Sequence, residues 1–217
     1  MKDLIILGAG GTAFDLIDIA IAMNKIKKQW NILGLLDDNI ELIGKNVYNF
    51  PVLGTISQSE EYKDAFFASS IGDAYRTNLR MIVREKVPFA NERFASLIHP
   101  TAIISESAII EPGAIIYGNV TLSGKVHVGH DVFLCGNTFL GHESVIGNHS
   151  LLSVGCFLAS DVHVGDCCYL GVGVNVRHQI TLGENCLIGM GTKIVKSIPP
   201  NSKVINRLET LISPNVG

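Results

Sequence analysis

Sixteen aliphatic residues at strict six-residue spacing run through the second half of this 217-residue chain and leave it little choice of fold. From Ile104 the column reads Ile110, Ile116, Leu122, Val128, Leu134, Leu140, Ile146, Leu152, Leu158, Val164, Leu170, Val176, Leu182, Ile188 and Ile194, without an insertion. Two residues before each stands a small or β-branched residue, from Ala102, Ala108 and Ala114 through Val120 and Val126 to Cys156, Cys168, Cys186 and Thr192. No helix has a six-residue period, so a helical reading fails. A solenoid fits instead, its three flat faces each taking one hexapeptide per coil. The large aliphatic fills the interior and the small residue fits where the interior narrows. Sixteen hexapeptides give about five coils stacked at roughly 4.8 Å, the spacing of neighbouring strands. Glycine recurs just after the aliphatic (Gly129, Gly141, Gly147, Gly165, Gly171, Gly183, Gly189), which predicts corners of positive φ at those positions.

The first hundred residues follow another rule. DLIILG (3–8) is a short apolar run, followed by GAGG and the amphipathic stretch TAFDLIDIAIAMN. A second run, NILGLLDD (31–38), ends in two carboxylates, and a third, DAFFASSIG (64–72), precedes a helical pattern with Leu79, Ile82 and Val83 on one side. Strand–helix alternation of this kind predicts a small parallel sheet. The expected architecture is mixed α/β plus all-β: a small Rossmann-like domain over residues 1–98, then a parallel β-helix with a C-terminal tail over 99–217.

A net charge of −3 gives no basic surface for nucleic acid or acidic lipid. No stretch reaches the roughly 18 apolar residues of a membrane span, and the N-terminal run is short with Asp3 in it, so the expected setting is cytoplasmic with no membrane partner. The five cysteines (135, 156, 167, 168 and 186) form no CxxC and no Cys/His zinc pattern, which predicts reduced core thiols and no metal.

Four motifs in order, GAGG (8–11), LLDD (35–38), LIHPTA (97–102) and GHESVIG (141–147), carry a resemblance that covers nearly the whole chain. The sequence resembles the NeuD/PglD-like group of hexapeptide-repeat acyltransferases, which acetylate nucleotide amino sugars at nitrogen or sialic acid at oxygen. The resemblance implies a left-handed β-helix, acetyl-CoA as co-substrate, and a homotrimer whose grooves lie between prisms. It aligns His142 with the family's catalytic histidine and Glu143 with its carboxylate neighbour. It implies cofactor contacts at Leu151, Ser160, Val172 and Met190, with the Gly171 and Gly189 amides as candidates for pantetheine. Two departures stand out: KVINRLETL (203–211) replaces the family's V-G-x-P-A-K tail, and Thr12 stands where relatives commonly carry a histidine that contacts the sugar nucleotide.

The residues agree with such chemistry. Acetyl transfer from a thioester needs a base for the acceptor's proton, a steadied oxyanion and an acceptor held at near-attack distance. Histidine titrates near operating pH, and a neighbouring carboxylate orients it. Of the seven histidines, His127 and His163 fall at outward-facing strand positions, and His99 at the domain junction. His142 differs, lying at a corner beside Gly141 with Glu143 following, so we take His142 as base and Glu143 as its modulator. With 18 residues per coil, Ser160 and His178 stack on its edge, while His130, Asn148 and Asp166 form another edge column suited to corner hydrogen bonding. Val154, Val172 and Met190 form an apolar column suited to pantetheine, with Lys193, Lys196, Lys203 and Arg207 near enough to meet CoA phosphates.

GAGGTA (8–13) also fits G-x-G-x-x-A, a dinucleotide fingerprint. No catalytic domain remains to use NAD, so a turn binding a sugar nucleotide fits better, through Gly10, Gly11 and Thr12, with Asp37, Asp38, Gly72 and Asp73 at the same sheet edge. The leading expectation is N-acetylation of a nucleotide-linked amino sugar, a 4-amino-4,6-dideoxyhexose, for surface glycans. Rivals are O-acetylation of a sialic-acid-type sugar, a carbonic-anhydrase-like metalloenzyme, which lacks its H-x4-H pair here, and a non-catalytic scaffold.

Overall fold

The computed structural model describes residues 1–205. Its N-terminal domain opens with β1 (Lys2–Leu7), α1 (Gly11–Ile26) and β2 (Trp30–Leu36). It continues with β3 (Asn46–Val47), β4 (Phe50–Gly54), β5 (Phe66–Ser69) and α2 (Leu79–Glu85). The sheet order is β3-β4-β2-β1-β5; only the β3–β4 edge is antiparallel. That edge hairpin over residues 46–54 escaped the sequence reading because its strands are short and its turn, Tyr48–Asn49, uses positive φ without glycine.

From Leu97 the chain winds as a left-handed prism of two-residue strands, in faces of seven, six and five strands. Residues pair 18 apart, as Thr121 with Phe139 and His127 with Val145. The aliphatic of each hexapeptide and the small residue two before it both point inward, so Leu134, Leu140, Val126 and Cys156 are fully buried. The winding extends beyond the two columns, with β6 (Leu97–Ile98) before them and Lys203–Val204 after. That last strand pairs with Leu187–Ile188, only 16 residues back, so the final coil runs two residues short.

The glycines correct an expectation. From Ile110 to Ile188 positive φ falls on the third residue after each aliphatic, as at Asn119, Lys125, Glu143, His149 and Asp161, rather than on the first. The glycines directly after the aliphatics answer to space: a Cβ on Gly141 would lie 2.6 Å from the Ala159 carbonyl carbon and the Ser160 nitrogen of the next coil. Gly155, by contrast, has φ +70° and open space around it. Gly141→Ala is therefore expected to cost about 3 kcal/mol and Gly155→Ala about 1 kcal/mol, readable from denaturant midpoints. Equal losses would contradict the close-approach explanation.

The N-terminal domain covers the seven-stranded face. Leu16, Ile17 and Ala20 of α1 bury against outward-facing Ile115 and Phe133 in one apolar cluster. Among the described residues no element of the N-terminal domain covers the six- and five-stranded faces, where Ile103, Ile109 and Phe157 are exposed.

Candidate active site

His142 and Glu143 sit on the edge between the six- and five-stranded faces, at the corner after Phe139–Leu140. Gly141 precedes them because the next coil passes so close, and Glu143 takes the left-handed corner conformation, φ 61°. This turn brings the Glu143 carboxylate to 3.5 Å from His142 Nδ1. The other oxygen accepts from Lys125 Nζ at 3.0 Å, one coil back. Lys125, followed by His142, holds the Glu143 carboxyl below the usual range, so it is ionised at neutral pH. Ser107, Gly124 and Lys125 join the pair around an open hollow of about 280 Å³. Lys125 was missed from sequence; its signal was position, one coil of 18 residues before Glu143. Ser160 and His178 stack above His142, with the Asp161 amide donating to the His142 carbonyl at 2.9 Å and the Gln179 amide to that of Ser160 at 3.1 Å.

The remaining predicted cofactor residues occupy a different edge, between the seven- and six-stranded faces. Val172, Met190, Gly171, Gly189 and Lys203 line a cleft of about 520 Å³ together with Tyr75, Tyr169 and Leu187. Val172 and Met190 are exposed apolar side chains there. The Gly171 and Gly189 amides are not available to a ligand, because they donate to Ile188 and Val204 in the coil-to-coil ladder. Among the described residues the next amides, of Val172 and Met190, donate to nothing, since the corner turns them out of the ladder. Ser160, on the His142 edge, is not part of this cleft. Lys193 lies on the six-stranded face, and Arg207 lies outside the described residues.

Further down the same edge, a second hollow of about 200 Å³ joins the two domains. Thr12, Asp15, Ser70 and Gly72 face Tyr117, Phe133, Cys135, Leu151 and Val154 across it. Leu151 thus belongs to this pocket, packed against Gly72. Gly10 is the N-cap of α1, with no side-chain cap, and a Cβ on Gly10 or Gly11 would meet open space. The turn therefore presents helix N-terminal amides without obstruction, which suits a phosphate. Asp37 and Asp38 brace this end of the sheet. Asp37 accepts from the Ala9 amide at 2.7 Å and the Asn39 amide at 2.8 Å. Asp38 accepts from the Ile56 amide at 3.0 Å and from Lys86 Nζ at 2.6 Å. Asp73 accepts from the Tyr75 amide at 2.7 Å and shapes the following loop.

Sequence reasoning missed Asp15, Tyr117 and Cys135. Tyr117 donates to Asp15 at 3.0 Å, and burial followed by the Asp15 carboxylate raises its pKa far above the phenol range. Burial pushes the Cys135 thiol up to about 11, so it stays protonated and offers no nucleophile at neutral pH. A signal existed: Tyr117 and Cys135 interrupt, 18 residues apart, the position after the aliphatic where glycine is common.

The other histidines fall where their columns place them. His127 pairs with Glu111 at 3.0 Å, His163 with Asp161 at 3.3 Å, and His99 with Thr101 at 2.8 Å. The Asn148 side chain accepts from the His130 amide, and Asp166 from that of Asn148, the corner bonding expected of that column. All five cysteines are free. Among the described residues no group of three or more His, Cys, Asp and Glu is arranged to hold a metal, and no helix is long and apolar enough to cross a membrane.

Comparison with known proteins bears out the resemblance. Residues 3–81 match the PglD N-terminal domain. The UDP-N-acetylbacillosamine N-acetyltransferase of Bacillus subtilis (strain 168) is 27% identical over 115 residues, 52% of this chain; the match spans half of that relative's length. Among solved structures, the acetyltransferase domain of PglB from Neisseria gonorrhoeae FA1090, in complex with acetyl coenzyme A, is 25% identical with a TM-score of 0.81, over 93% of this chain and 95% of that one. A mutant of the GDP-perosamine N-acetyl transferase from Caulobacter crescentus, in complex with CoA and GDP-perosamine, shares the fold at 23% identity and a TM-score of 0.80, over 94% and 93% of the two chains.

Proposed function

We propose that this protein transfers the acetyl group of acetyl-CoA to the amino group of a nucleotide-linked amino sugar, a 4-amino-4,6-dideoxyhexose of surface glycan synthesis. One observation carries the reading. A hollow beside an open helix N-terminus sits directly below an apolar cleft on one prism edge, and a His–Glu pair stands at the height of that hollow on another edge. Coil height follows residue number, and His142 lies between Cys135 and Val154. A three-fold axis parallel to the prism preserves height, so it would bring one copy's His142 opposite the next copy's nucleotide pocket. The uncovered, exposed Ile103, Phe157, Val154, Val172 and Met190 supply apolar surface for such a trimer.

In this arrangement the helix N-terminus and the Gly10–Thr12 turn hold the nucleotide phosphates, and the sugar reaches toward the neighbouring His142. Pantetheine lies on Val172 and Met190, whose outward amides suit its carbonyls, and Lys203 meets CoA phosphate. His142 takes the amine proton as nitrogen attacks the thioester carbonyl. The C–N bond forms, the C–S bond breaks, and the proton passes to the departing thiolate. Glu143 orients the imidazole and stabilises its charged form. The close likeness to acetyltransferase structures supports this chemistry, and the free cysteines suit a reducing cytoplasm.

The test is thiol release from acetyl-CoA with GDP- and UDP-linked 4-amino sugars and with free sialic acids as acceptors. Turnover on a nucleotide amino sugar is expected. Turnover on sialic acid alone would replace the reading by O-acetylation, and no release with any acceptor would overturn it.

A further inference from the structure

Arg80, in the first turn of α2, lines neither pocket, yet it is 3% exposed and reaches both domains. Its Nη1 donates to the carbonyls of Ser69, at 3.4 Å, and Ile71, where the chain leaves β5. Its Nε donates to the Asp131 carbonyl on the prism at 2.9 Å. The guanidinium lies over the Phe133 ring, 5.0 Å from the centroid. Burial lowers its pKa to about 10, which leaves it charged at neutral pH, with Asp131 nearby.

The segment that it grips serves both pockets within six residues. Ser70 and Gly72 line the nucleotide hollow, as does Phe133 beneath the guanidinium. Ala74 and Tyr75 line the apolar cleft, and Thr77 then donates to Asn185 on the prism at 2.6 Å. Within it Ile71 packs against the N-terminal core while Tyr75 is largely exposed, so the path beyond Ile71 depends on what holds its ends. A lysine in place of Arg80 would keep the charge but lose the planar fork that reaches three carbonyls from two elements.

We infer that Arg80 is a positioning residue: from inside the domain junction it fixes segment 70–75 against the prism, and so sets the spacing between the nucleotide pocket and the acyl-donor cleft. This rests on the acetyl-transfer reading. Arg84 provides the comparison, since it pairs with Asp131 at 3.4 Å and stacks on Phe94 but touches nothing in the segment.

The experiment compares wild type, Arg80→Lys and Arg84→Met for kcat, for KM with acetyl-CoA and the accepted nucleotide amino sugar (GDP-perosamine tried first), and for melting temperature. Arg80→Lys is expected to raise both KM values about tenfold or more, and Arg84→Met to leave both within about twofold at a similar loss of melting temperature. A folded Arg80→Lys with wild-type KM values would overturn the inference. Hydrogen exchange on the unliganded wild type gives a second reading that needs no variant. Slow exchange at residues 70–76 supports a preset segment, and exchange at the unstructured rate contradicts it. Wild type without turnover on any sugar would sink the transferase reading instead, leaving the exchange result to decide whether the segment is held.

Discussion

Replacing His142 by alanine is expected to lower kcat by about 10²–10⁴-fold while both KM values stay within about twofold. The side chain is 64% exposed and among the described residues it pairs with its neighbour Glu143 alone, so its removal leaves no cavity and strands no buried group. The melting temperature should therefore match wild type. The loss should fall on the proton-transfer step, since neither hollow on the opposite edge is lined by His142. Steady-state kinetics with both substrates varied checks this. A variant with kcat within a few-fold of wild type would remove His142 from the role of base.

Mixing two inactive variants should restore activity. If the base comes from one copy and the nucleotide pocket from the next, His142→Ala and a pocket-filling Gly72→Leu are each nearly inactive as homotrimers. A Cβ on Gly72 already meets the Leu151 side chain at 2.5 Å, so a larger side chain blocks the hollow. Co-expressed in equal amounts and assembled at random, each site has a one-in-two chance of an intact base and a one-in-two chance of an intact pocket. About a quarter of wild-type activity is then expected. If base and pocket instead served one site within a single chain, no mixture would contain an intact site and activity would stay at background. The monomer geometry already favours sharing. The six-stranded face, with the stacked Phe139 and Phe157 rings 4.8 Å apart, separates His142 from its own chain's pockets.

Much of the fold was legible because the prism writes its period directly into the sequence. A large inward aliphatic is demanded once per face, and any insertion would turn every later side chain outward. His142 and Glu143 were legible through the family motif and through their corner position. The 18-residue coil already placed Ser160 on the edge of His142 and Val172 with Met190 in an apolar column of their own. Only the structure moved Leu151 from the expected cofactor set into the hollow between the domains. Asp37 and Asp38 read from sequence as ligand carboxylates; in the fold, nearby amides and Lys86 occupy their oxygens.

The sequence by itself determined the solenoid and the α/β domain in front of it, since each follows from local periodicity; His142 entered as candidate base through the family resemblance and its corner position. The tertiary structure alone decided which edge each column occupies, why glycine follows the aliphatics, and that Tyr117, Cys135 and Tyr75 join the pockets. It also decided that Arg80 ties the domains together. These depend on close approach between coils and between domains, where segments far apart in sequence meet and where neither period nor motif records the contact.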